Sequence, residues 1–224
     1  MIPIRDDVRS ATRPYVNYTI IATCTLVFIY QLFSSFSDQQ LGKSIILNYG
    51  LVPREIASGR KLWTLITSMF LHGGFLHIIG NMLYLWIFGD NVEDAFGHLP
   101  YLGLYAAAGI FGSILHILIA PGSSIPTIGA SGAISGAMGA YFVLYPRARV
   151  LTLVPIFFFL RFIYLPAYIL LGFWILLQFL YGFGAPAGAG GVAYFAHIGG
   201  FLVGVLLGLL VRRRRRSHIW YDIH

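Results

Sequence analysis

"GASGAISGAMGAY", residues 129–141, sets four glycines and four alanines around two hydroxyls, Ser131 and Ser135, in a chain otherwise made of bulky apolar runs. Glycine costs a helix about 1 kcal/mol relative to alanine. A serine hydroxyl in hydrocarbon needs a hydrogen-bond partner. Such a composition suits a membrane helix that another helix approaches closely, backbone against backbone. Small residues recur every four positions at Gly132, Gly136 and Ala140. The last apolar run repeats the spacing at Gly200, Gly204 and Gly208. The two faces are predicted to meet, which would bring His197 within reach of Ser131.

The rest of the chain sets the environment for that pairing. Of 224 residues, 58% are hydrophobic, 10% are charged and mean hydropathy is +0.76, too little polar surface to cover a soluble globule. This composition predicts an all-α integral membrane protein. Apolar runs long enough to cross about 30 Å of hydrocarbon fall near 16–36, 74–89, 99–120, 129–145, 166–182 and 193–211, six in all. The stretch "RARVLTLVPIFFFLRFIYLPA", residues 147–167, is interrupted by Pro155, Arg161 and Pro166 and is expected to form an interfacial or re-entrant connection.

With the amino terminus inside, Arg5, Arg9, Arg13, Arg147, Arg149, Arg161 and Arg212 to Arg216 are cytoplasmic. Lys43, Arg54, Arg60 and Lys61 lie outside. Eleven cations against four favour that orientation. The arginine run then anchors the chain against anionic lipid, with no nucleic-acid partner implied. The first apolar run lacks a small-residue cleavage site and is expected to stay as a span. A lone cysteine, Cys24, excludes an intramolecular disulfide. The outer "GFGAPAGAGGVAYF", residues 182–195, is a candidate lid.

Polar side chains inside spans are costly and point to function by default. Here the residues to weigh are His77, Asn81, His116, Ser131, Ser135 and His197. Ser131 lies 16 residues before Arg147 and His197 lies 15 before Arg212. Both therefore stand about 22 to 24 Å above the inner boundary. His77 is at a comparable height and Asn81 one turn deeper on the same face. An imidazole beside a serine hydroxyl can accept its proton and activate it as a nucleophile. With Thr127 as helix cap, Gly129 to Ser131 occupy a first turn whose N–H groups lack intrahelical partners. These donors, with His77 and Asn81, could form an oxyanion hole. All eight carboxylates are assigned to loops or tails, which leaves a Ser/His dyad without an acid.

Four histidines near the spans also raise a zinc protease, but no H-E-x-x-H occurs and no carboxylate accompanies the pairs. His72, His116 and Ser135 are expected to serve local packing. A transporter would line a path across the bilayer, whereas these polar groups share one height.

Over residues 15–211 the chain resembles the rhomboid intramembrane serine proteases. "GASG" at 129–132 is similar to the family's nucleophile motif, "AHIGG" at 196–200 to its general-base motif, and "HGGFLHIIGN" at 72–81 to its second-span motif. "NVEDAFG" resembles the end of that span, with Glu93 and Gly97 in matched positions.

The resemblance implies Ser131 as nucleophile, His197 as general base, and His77, Asn81 and the Ser131 backbone N–H as oxyanion donors. His72 would be structural or auxiliary, and no metal or cofactor is implied. It implies a six-transmembrane-helix rhomboid-like protease domain over 16–211, between a cytoplasmic tail at 1–15 and a basic cytoplasmic tail at 212–224. It further implies a multi-pass protein of the cell membrane that hydrolyses peptide bonds in or near transmembrane segments of other membrane proteins, close to the outer face. The helix at 166–182 would gate substrate entry. Oligomeric state is left open. A catalytically silent, helix-binding relative would lack the nucleophile or base, and both are present. Two positions depart from the family pattern. Thr64 follows Trp63 where an arginine is common, and Ser135 stands where some members place an aromatic against the histidine.

Overall fold

The computed structural model describes residues 1–156, 159–184 and 191–221. A short strand β1 (Ile2–Asp6) precedes helix α1 (Tyr15–Ser37), and three short helices follow, α2 (Gln39–Tyr49), α3 (Pro53–Ala57) and α4 (Thr64–Thr67). A 3₁₀ turn (Ser68–Phe70) leads into α5 (Phe75–Phe96), α6 (His98–Ile119) and α7 (Ser131–Leu144). Strands β2 (Arg149–Ile156) and β3 (Phe159–Pro166) connect α7 to α8 (Ala167–Gly184), and α9 (Tyr194–Tyr221) closes the bundle.

Among the described residues, four helices are long and apolar enough to cross a membrane: Tyr15–Ser37, His98–Ile119, Ala167–Gly184 and Tyr194–Arg213. The bent pair Thr64–Phe70 and Phe75–Phe96, turning by 95°, adds a fifth. The remaining expected span, α7, has 14 residues and rises about 21 Å, less than the hydrocarbon thickness. It is buried in protein instead. Every residue from Gly132 to Tyr141 is buried, because a Gly/Ala cylinder lets neighbours close in on all sides.

The contact with α9 is the closest. A Cβ on Gly200 would sit 1.9 Å from the Gly132 carbonyl oxygen, and one on Gly204 1.9 Å from that of Gly136. The two glycine faces do meet, as their four-residue spacing predicted.

The expected all-α class needs correction at the connection over 147–167. That segment is a β-hairpin, and residues 1–15 are not merely a tail, since β1 joins it in an antiparallel sheet of order β1-β2-β3. Val150, Thr152, Val154 and Ile156 in β2, and Phe159, Phe162 and Tyr164 in β3, are β-branched and aromatic residues suited to a pleated surface. Val150 and Thr152 are fully buried on the inner face, whereas Phe159, Phe162 and Tyr164 are exposed.

Carboxylates knit the sheet end of the bundle. Three of them, Asp90, Glu93 and Asp94, lie in the last turns of α5, Glu55 lies in α3 and Asp6 in β1, not in loops or tails as expected. Asp222 lies outside the described residues. Glu93, fully buried, accepts the Val16 and Asn17 N–H groups at 3.0 and 2.7 Å and so caps α1, whose N-cap Pro14 has no side-chain acceptor. Asp94 accepts the Thr12 N–H at 2.8 Å, and Asp6 accepts from Asn91 and from the Tyr141 hydroxyl. The expected tail from residue 212 is helical as far as Tyr221, and Arg212 donates to the Val143 carbonyl at 3.2 Å.

At the opposite end, Leu51 and Thr127 exchange two backbone hydrogen bonds, of 3.0 and 2.7 Å, which fix the approach to α7. Thr127 is therefore not the cap of α7. Ala130 is.

Candidate active site

Ser131 is the first residue of α7, and its hydroxyl lies 2.8 Å from Nε2 of His197 in the first turn of α9. The two residues are 66 apart in sequence and meet because the glycine faces one turn further on bring the two helix backbones together. Ala130, at the cap, has no side-chain acceptor, so the N–H groups of the first turn point from the helix terminus without an intrahelical partner. Gly129 precedes the helix instead of joining its first turn, and its N–H donates to the Ser68 carbonyl at 2.9 Å.

Gly129 has φ +126°, a backbone region that favours glycine, and a Cβ there would lie 2.6 Å from His77 Nε2. Nothing larger fits. His77 Nδ1 accepts the Gly73 N–H at 3.3 Å, so in the neutral ring the proton resides on Nε2, the nitrogen facing Gly129. Asn81 is buried, and its Nδ2 has no hydrogen-bond partner among the described residues. An amide donor held without an acceptor is costly unless something polar arrives to take it.

A cavity of about 560 Å³ adjoins Ser131, His197, His77 and Asn81 and extends to Pro126–Gly129 and Gly191–Ala193 at the loop end. A second, of about 260 Å³, touches the same four side chains from the side, between Tyr84 of α5, Met138 of α7 and Trp174 of α8. The four predicted site residues thus border both spaces. Of the candidate lid at 182–195, residues 185–190 lie outside the described residues.

The remaining polar residues weighed from the sequence have local partners. The His72 backbone is bracketed by Gln31, which accepts its N–H at 3.0 Å and donates to its carbonyl at 3.2 Å. His116 Nε2 lies 3.3 Å from the Thr127 hydroxyl. Ser135 donates back to the Ser131 carbonyl at 2.6 Å, the local bond typical of a serine inside a helix.

Gln178 escaped the sequence reasoning. Its Oε1 lies 2.8 Å from His197 Nδ1, while its Nε2 donates to the Trp174 carbonyl at 3.2 Å. It is an amide within a span, and the rule that singles out Asn81 singles it out equally. What the sequence does not carry is the rotation of α8 that turns this amide toward α9.

Chemically, the arrangement offers a hydroxyl donating to Nε2, an imidazole donating from Nδ1 to an amide oxygen, and N–H donors converging beside the hydroxyl. These are the parts of an acyl-transfer site.

Residues 59–214 match the rhomboid family, described as the rhomboid domain. The chain is 29% identical to RHOMBOID-like protein 5 of Arabidopsis thaliana over 91% of its own length and 64% of that protein's. It is 34% identical to Rhomboid protease GluP of Bacillus subtilis (strain 168) over 57% of its length and 24% of the relative's. It is 30% identical to Rhomboid protein 1, mitochondrial, of Saccharomyces cerevisiae over 67% and 42% respectively. The chain thus spans less than two-thirds of the length of each of these relatives.

Proposed function

The chain belongs to the rhomboid family of intramembrane serine proteases, and from that premise we propose that it is a six-span endopeptidase working by a Ser131/His197 pair. The observation that carries this is the 2.8 Å contact between Ser131 Oγ and His197 Nε2 beside an unpartnered Asn81 amide.

Ser131 Oγ attacks the scissile carbonyl carbon as its proton passes to His197 Nε2. The resulting oxyanion takes hydrogen bonds from the Ser131 N–H, His77 Nε2–H and Asn81 Nδ2–H. His197 then returns the proton to the leaving amine, the C–N bond breaks, and an acyl-serine remains. Water from the loop-end cavity gives a proton to His197 and attacks the acyl carbon. Collapse of that second intermediate expels Ser131 Oγ, which takes the proton back.

Substrates are transmembrane segments of other membrane proteins, entering the bilayer-facing side between α5 and α8. An α-helical peptide bond must unwind before it reaches a nucleophile, so helices weakened by glycine or other small residues are favoured. The cationic residues argue for cytoplasmic termini and for cleavage near the outer face of the cell membrane.

A fluorophosphonate probe followed by mass mapping tests this directly. Labelling is expected at Ser131 and blocked by prior heat denaturation. Labelling at another serine, or none alongside a positive-control hydrolase, would refute the assignment. Asn81→Ala is expected to lower kcat by about two to three orders of magnitude, the range seen on removing an oxyanion donor. An unaltered rate would reduce Asn81 to helix packing.

A further inference from the structure

Among the described residues the Ser131/His197 pair has no carboxylate behind it, yet a neutral imidazole acts as a base toward serine only when its lone pair is on Nε2 and its ring is turned to the hydroxyl. Something must hold the proton on Nδ1. In this fold Gln178 is in place to do so, and we propose that it is the positioning residue of the site, fixing both the tautomer and the orientation of His197. The proposal rests on the Ser131/His197 reading above.

Two hydrogen bonds set the geometry. An amide side chain can present either its oxygen or its nitrogen, and only the oxygen accepts. Gln178 has the choice made for it. Its Nε2 is committed to the Trp174 carbonyl one turn earlier on the same helix at 3.2 Å, which turns Oε1 toward His197 Nδ1 at 2.8 Å. Nδ1 is thereby the donor, and Nε2, 2.8 Å from Ser131 Oγ, is the acceptor. Gln178 and His197 are both buried, so water competes little for this bond.

Trp174 supplies a second restraint. Its ring lies 5.8 Å from that of His197, centroid to centroid, at an interplanar angle of 32°. The contact takes the place of the aromatic residue that Ser135 does not provide from α7. The imidazole is thus held by α8 on two sides, although nucleophile and base come from α7 and α9.

This placement links base orientation to helix position. Trp174 and Gln178 lie on α8, which borders the lateral cavity and packs mainly against α9, with scarcely any contact to α5. An outward displacement of α8 withdraws the acceptor from Nδ1. The site is then competent only when α8 is seated.

The test uses the full chain reconstituted in bilayers, with Gln178→Leu, Gln178→Met and Gln178→Glu compared against His197→Ala. Gln178→Leu and Gln178→Met keep volume and helix propensity but offer no oxygen acceptor. Each is expected to lower kcat by about tenfold to a thousandfold with KM unchanged, and to slow fluorophosphonate labelling of Ser131 in parallel. Gln178→Glu retains an acceptor and adds a charge that favours imidazolium. It is expected to restore most of the rate and to move the acid limb of the kcat/KM profile upward by about one pH unit or more.

Wild-type kcat and an unmoved pH profile in Gln178→Leu, with His197→Ala inactive, would overturn the role of Gln178 and leave the Ser/His pair standing. Equal loss in Gln178→Leu and Gln178→Glu, with no change in the profile, would likewise overturn it in favour of packing. Full activity in His197→Ala would instead overturn the Ser/His reading itself.

Discussion

Ser131→Ala and His197→Ala are each expected to abolish cleavage of a membrane-anchored substrate, by about 10⁴-fold or more, while the protein remains folded in detergent. The size of the loss follows from how such residues act. Nucleophile and base serve one proton transfer, so removing either forfeits nearly the whole of it, and the two losses do not add. Ser131→Ala and the double variant should therefore be almost equally inactive.

Folding survives because neither side chain is a packing anchor. The Ser131 hydroxyl has His197 as its partner, and alanine is a better helix former than serine. His197→Ala opens space next to an existing cavity and leaves the Gln178 oxygen short of a donor, a cost of about 1–3 kcal/mol. Product formation against time, alongside thermal unfolding, checks both halves. Either variant cutting at the normal rate would end the proposed mechanism.

The second large effect is on stability. Gly204→Ala is expected to destabilise the protein by about 3 kcal/mol or more, because the added Cβ would lie 1.9 Å from the Gly136 carbonyl oxygen and 2.9 Å from the Ala140 nitrogen. Both obstacles are backbone in the middle of a helix, and neither can rotate away as a flexible side chain would. The helices must separate along their closest contact, and the Ser131 to His197 distance grows with them. Activity falls together with stability.

Gly103→Ala is the control. A Cβ there meets nothing within 4 Å, so the change should be neutral or slightly stabilising. Thermal unfolding of the two variants in the same detergent decides the matter. Equal midpoints would contradict the close approach of α7 and α9.

Much of the site was legible because its signals are local. The four-residue repeats of small residues announced the α7–α9 contact, and counting residues from the arginines put Ser131 and His197 at one depth. His77 and Asn81 share a helix face by spacing alone. The sheet was not legible in the same way. Ile2 pairs with Leu153 and Asp6 with Val150, partners separated by most of the chain, and an isolated two-stranded hairpin is marginal without the third strand that β1 supplies. The sequence position of Thr127 suits a helix cap, but α7 begins only at Ser131, and the Thr127 backbone pairs with Leu51, a partner that only the folded loop end brings near. Asp90, Glu93 and Asp94 lie just past the apolar run at 74–89, and hydropathy alone therefore assigns them to a loop. They extend α5 because the N-terminal segment and the start of α1 supply the donors that they need.

By itself the amino-acid order determined that this is a membrane protein of helical spans, which helices touch most closely, and which hydroxyl and imidazole lie level, since hydropathy and periodicity are properties of contiguous residues. The tertiary structure alone decided that a sheet closes one end, that α7 is enclosed by its neighbours on all sides, and that Gln178 faces His197. Those outcomes depend on how each helix is rotated and tilted against its neighbours, and that is set by packing of the whole bundle and written in no single segment.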